Sequence, residues 1–141
     1  MLAIMFFYTV ISLLIIYNDV KYREIPNILV LNILLISLIN AWAGGFLTRS
    51  LLAALIVLGL FILLWFLKVL GGGDVKLITA FSIGIDPHFL VLMLCTTGLL
   101  GGGLVVLMYL APASFCSTVS RGIPYGIPIV LSGLFFLLYQ I

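Results

Sequence analysis

The chain has 141 residues, 65% of them hydrophobic and only 7% charged, and its mean hydropathy is +1.46. A soluble domain keeps about a quarter of its residues charged, so this composition excludes a water-facing surface and makes lipid the solvent. The net charge of +2 is too small to attract nucleic acid, and no such partner is expected.

A membrane-crossing helix takes about 20 apolar residues, with a range of about 17–25. The charges and the Gly/Pro clusters divide the sequence into six candidate spans, giving an all-α integral membrane bundle. The first, about Leu2–Tyr17, has neither a basic n-region nor an A-x-A-like cleavage site, and so reads as a retained span rather than a removed signal. It is followed by the polar stretch Asn18–Glu24. The second is about Pro26–Trp42, with Pro26 suited to a first helical turn. The third, about Ser50–Leu70, is halted by Gly71-Gly72-Gly73. The fourth, about Asp74–Ile85, is too short to cross alone, and is either shielded by its neighbours or re-entrant. The fifth is about Pro87–Leu110, ended by Pro112, and the sixth about Pro124–Gln140. Without a linker-like stretch or an internal repeat, residues 1–141 are expected to form one transmembrane domain.

Six alternating spans put Lys21, Arg23, Lys68, Lys76 and Arg121 on one side and only Arg49 on the other. The positive-inside rule then turns the loops around 18–25, 68–76 and 112–123 toward the cytoplasm and both termini outward. Cys95 and Cys116 form neither a CxxC nor a metal-ligand spacing, and Cys95, in an apolar run, reads as a buried inert thiol. No metal or other cofactor is expected. Gly98 and Gly102, with Gly101 and Gly103, read as a GxxxG-like helix-packing face, and Asn32 and Asn40 as interhelical hydrogen-bonders.

Of the four acids, Asp86 precedes Pro87 and reads as a helix N-cap, and Glu24 reads as charge balance in a basic loop. Asp19 and Asp74 differ, because the topology brings both to the same face at comparable depth. Their structural alternatives are an ion pair of Asp19 with Lys21 or Arg23, and an N-cap in which Asp74 accepts N–H groups from Lys76 or Leu77. Two carboxylates held close in a low-dielectric site share one proton. The ionised member can then take a proton from water while the protonated one polarises a peptide carbonyl. That chemistry is aspartic proteolysis. The side-chain-free Gly71-Gly72-Gly73 beside one acid lets a substrate backbone approach closely, and also breaks the helix.

Gly71-Gly72-Gly73-Asp74-Val75-Lys76 fits G-x-G-D-x-K and resembles the signature of the prepilin peptidases, the type IV leader peptidases among the GxGD membrane aspartic proteases. Asp19 to Asn27, with its basic residue and Ile25-Pro26-Asn27, resembles their first motif. Ile123-Pro124-Tyr125-Gly126-Ile127-Pro128 resembles their C-terminal P-Y-G segment. The resemblance covers nearly the whole chain. It implies that Asp19 and Asp74 are the catalytic pair and that Lys21, Pro26, Asn27, Gly71, Gly73, Lys76, Pro124, Tyr125 and Gly126 shape the site. The implied partners are the lipid bilayer and prepilin or pseudopilin membrane helices, cut between a short basic leader and a hydrophobic helix at the cytoplasmic face of the cell membrane. Larger members carry an extra cytoplasmic domain, often with CxxC pairs, linked to methylation of the new N-terminus. This chain runs straight from its first span to Asp19 and is expected not to methylate. Its size and its Ile123–Ile129 segment are most similar to the tight-adherence (Flp pilus) subgroup, with archaeal preflagellin peptidases as the nearest competitors. Two other classes stay open: a transport or channel component using Asp19 and Asp74 as a proton or cation relay, and a noncatalytic pilus or secretion assembly subunit.

Overall fold

The computed structural model describes residues 2–110 and 124–140, so Cys116, Arg121 and Ile123 lie outside the described residues. The described residues form six helices and no strand: α1 (Leu2–Tyr22), α2 (Asn27–Ala43), α3 (Leu47–Phe66), α4 (Gly72–Gly84), α5 (Pro87–Leu110) and α6 (Gly126–Tyr139). The protein is an all-α membrane bundle. Three helices, α1, α3 and α5, are long and apolar enough to cross a bilayer, whereas α2 and α6 are shorter apolar helices.

The order of the elements follows the sequence, but their ends do not. The first helix continues five residues past Tyr17, and Asn18 bonds back to the Leu14 carbonyl at 2.8 Å within it. The sequence places no breaker before Pro26, which drives the residue ahead of it out of the helical region. Pro26 is the N-cap of α2 rather than its first residue, and its carbonyl accepts the N–H of Leu29 at 3.0 Å. The third helix starts earlier than expected and stops at Phe66, four residues short of the expected end. The fourth starts at Gly72, two residues before Asp74.

The core is built around α4. Nine of its thirteen residues, from Asp74 to Gly84, are buried, and α2, α3 and α6 pack against it. At about 1.5 Å per residue it is roughly 20 Å long, and its surroundings are protein rather than lipid. The outer helices each bury one narrow stripe. On α1 the buried side chains are Tyr8, Ser12, Ile15 and Asp19, spaced four, three and four residues apart. Tyr8 donates to Ser37 of α2 at 2.8 Å and stacks on Phe81 of α4 with ring centroids 6.2 Å apart.

One end of the bundle is closed by a polar clasp. Asn40 and Gln140 both donate to the Gly84 carbonyl at 2.9 Å, and Gln140 accepts the N–H of Asp86 at 2.9 Å. Asp86 caps α5 as expected, accepting the N–H of His88 at 2.9 Å. Three sequence readings need correction here. Asn32 does not reach another helix but bonds the Ile28 carbonyl of its own turn at 2.8 Å. Cys95 is exposed, because its position on α5 faces away from the bundle. Of the α5 glycines only Gly101 packs against another of the described residues, Tyr125 and Pro128; Gly98, Gly102 and Gly103 meet none of them within 4 Å.

Candidate active site

The opposite end of the bundle opens into a cavity of about 730 Å³ whose walls come from four helices, two helix-to-helix turns and Tyr125, the N-cap of α6. Asp19 stands on the last full turn of α1, 6% exposed, and Asp74 on the first turn of α4, 9% exposed. Both line this cavity, close enough for the charge of Asp19 to act on Asp74.

Each carboxylate is held by a backbone N–H. Gly126, the first residue of α6, donates to Asp19 Oδ2 at 2.8 Å across 107 positions of sequence. A side chain at 126 could not coexist with this contact, since a Cβ there would lie 2.5 Å from the same oxygen. Gly71 donates to Asp74 Oδ2 at 3.2 Å. Asp74 is thus the third residue of α4, reaching back to the N-cap residue Gly71, and is not itself the cap. The reason is local: Gly71 is extended and the next two glycines already carry helical geometry, which moves the helix start upstream. Gly73 fits under Ile25, where a Cβ would come within 3.2 Å of the isoleucine Cβ.

The residues singled out in sequence divide into three groups. Asn27, Gly71, Gly73, Lys76 and Tyr125 line the cavity, and Lys76 donates to Asn27 Oδ1 at 3.1 Å, tying α4 to α2. Gly126 and the buried Pro124 set the start of α6 against Asp19. Lys21 and Pro26 do not line the cavity. The Lys21 ammonium instead donates to the Tyr17 hydroxyl at 2.7 Å and sits 5.1 Å from the Tyr17 and Tyr22 ring centroids on the outer face of α1. Pro26 acts through the turn that starts α2.

Sequence reasoning missed Arg23, Glu24, Ile25, Trp65, Lys68, Val69, Leu70 and Gly72 as lining residues, and Glu24, read as charge balance in a loop, faces the cavity. Lys68, Val69 and Leu70 were assigned to the third span; they are released because α3 closes early in a Schellman motif, with Val69 N–H to the Leu64 carbonyl at 3.1 Å and Lys68 N–H to that of Trp65 at 2.9 Å. Lys68 occupies the left-handed position of that motif at φ 57°. A lysine at a position that usually takes glycine leaves no sequence signal of the turn.

The type IV leader peptidase family model matches residues 6–106. The chain belongs to the type IV leader peptidase family. The match includes both Asp19 and Gly71–Lys76 but stops short of Pro124–Gly126, which geometry alone connects to the site through the bond from Gly126 to Asp19. Searches of curated proteins and of solved structures found no match. Membership makes this membrane protein a peptidase of the leader-peptidase kind. Among the described residues no cluster of His, Cys, Asp or Glu has the makings of a metal site.

Proposed function

We propose that the protein is an aspartic endopeptidase that removes the basic leader from prepilin or pseudopilin precursors, with Asp19 and Asp74 as its catalytic pair. The observation that carries this reading is the convergence of the two carboxylates on one cavity. Among the described residues neither has a cationic side chain as a hydrogen-bond partner; each accepts a backbone N–H instead, which disfavours an ion pair of Asp19 with Lys21 or Arg23. A relay would not need both acids to face one open cavity, and a scaffold would need no buried acids at all.

Two carboxylates in one cavity ionise together only at a Coulombic cost, so the pair holds one proton between them. The ionised member of the pair is the base and the protonated member the acid. The base takes a proton from water as the water oxygen adds to the scissile carbonyl carbon, and the acid gives its proton to the carbonyl oxygen. Breaking the C–N bond then returns a proton from the first carboxyl to the leaving amine and one from the intermediate's hydroxyl to the second, which restores the starting state. The cavity lies at the end of the bundle that carries Lys68 and Lys76, which the positive-inside rule turns to the cytoplasm.

Coexpression with a full-length prepilin precursor tests this directly, scored as the shift from precursor to mature size on a gel. The wild type and Asp86→Asn process the precursor; Asp19→Asn and Asp74→Asn, at equal membrane levels, leave it intact. Processing by either dyad variant, with no other leader peptidase in the cell, returns the relay or scaffold reading to first place.

A further inference from the structure

Three helices of this bundle end in the same device, a residue in the left-handed region just past the last turn. At the clasped end, α2 uses Gly45, at φ 73°, with the Phe46 and Gly45 N–H groups returning to the carbonyls of Ala41 and Trp42. Glycine is the usual choice there, because a Cβ strains this backbone. At the cavity end the same position is held by cations, Arg23 after α1 at φ 58° and Lys68 after α3 at φ 57°. Arg23 donates its N–H to the Asp19 carbonyl at 3.1 Å, so the turn that positions Arg23 is continuous with the turn that carries Asp19. Arg23 lines the cavity. One terminal nitrogen, NH1, is shut off from solvent and has no hydrogen-bond partner among the described residues. A charged donor in that state calls for an acceptor. The Asp19 carboxylate, which feels its field, takes its hydrogen bond from Gly126 instead.

We propose that Arg23 is a substrate-contact residue, its guanidinium receiving a main-chain carbonyl of the peptide laid against Asp19 and Asp74. This rests on the leader peptidase reading. A left-handed backbone at a cavity-lining residue whose NH1 has no partner among the described residues points to function rather than folding. A precursor crossing the cavity in extended form offers a carbonyl at every residue, so the contact fixes the depth of the chain without selecting a side chain.

Arg23→Gly separates the two roles, because glycine suits the left-handed turn but removes the donor. With purified enzyme in lipid nanodiscs and a full-length prepilin precursor, Arg23→Gly keeps or raises the melting temperature and raises KM about tenfold or more, with kcat within about threefold. Arg23→Gln shows the same loss, and Arg23→Lys recovers part of it. In an Asp74→Asn background, where the precursor is bound but not cut, Arg23→Gly weakens capture of the intact precursor by a similar factor. Unchanged KM and capture in Arg23→Gly and Arg23→Gln overturn the proposal. So does a fall in kcat with capture intact, which means that Arg23 works through Asp19. A melting temperature lowered by both Arg23→Gly and Arg23→Gln makes the side chain a structural latch and also overturns it. Failure of the wild-type enzyme to cut the precursor strikes the leader peptidase reading itself, and is seen before any variant is compared.

Discussion

Asp19 depends on a contact made by a residue that has no side chain. Because a Cβ at position 126 would sit 2.5 Å from the carboxylate oxygen, Gly126→Ala has to push Asp19 off its N–H donor. A displacement of about 1 Å at a reacting group costs on the order of a hundredfold in rate. Gly126→Ala is expected to lose cleavage on that scale at a normal membrane level, measured as initial rate on a prepilin precursor; a rate within a few-fold of wild type would show that the contact is incidental. Asp86 is the contrasting acid. Its carboxylate caps α5, asparagine caps as well, and Asp86→Asn is expected to change stability by no more than about 0.5 kcal/mol in a thermal melt while leaving cleavage intact. Both aspartates of the cavity were legible in sequence, from their position beside polar breaks in apolar runs and from their shared face. Arg23 and Lys68 were not, because a left-handed residue at a helix end shows in sequence only when glycine fills it.

Helix α4 is the element on which the site rests, since it presents Asp74 from a rod enclosed by α2, α3 and α6. Its enclosure is tight at Gly133 of α6, where a Cβ would come within 2.6 Å of the Phe81 ring. Gly133→Ala is expected to destabilise the protein by about 1–3 kcal/mol through overpacking. Gly98→Ala, on a helix flank with nothing within 4 Å, should be neutral or stabilising by up to about 1 kcal/mol, since alanine favours the helix. Thermal melts of the two variants in one detergent check this, and equal losses would contradict the packing described. The six helical segments follow from apolar runs cut by charge, Gly and Pro, which is why their order was legible. Their ends were not, because they depend on tertiary detail: α1 winds on through Asn18–Tyr22 to deliver Asp19, and α3 stops at Phe66 to free the turn that walls the cavity. The α5 glycines misled for a related reason, since spacing alone does not show whether a small-residue face meets a helix or lipid.

Across the whole molecule, charge and chemistry gather at one end of an apolar bundle. Lys68, Lys76 and both cavity aspartates share one end, and the Asn40–Gly84–Gln140 clasp closes the other. The proposed topology faces the cavity end to the cytoplasm. Single cysteines introduced at 21 and 76, after replacement of Cys95 and Cys116, should react with a membrane-impermeant thiol reagent only from the cytoplasmic side; labelling of the two from opposite sides would end the shared-site account. Between α1 and α2 only residues 23–26 intervene, which leaves no room for an inserted methylating domain, and the mature product is expected to carry an unmethylated N-terminus by mass spectrometry. The central claim is that Asp19 and Asp74 act as one unit, and single-turnover cleavage of a prepilin precursor by Asp19→Asn, Asp74→Asn and the double variant tests it most directly. Residues that work as a unit lose nearly as much singly as together, so the account predicts that each single variant falls to about the residual rate of the double. Single losses that multiply to give the double, or a single variant that cuts at close to the wild-type rate, would contradict it.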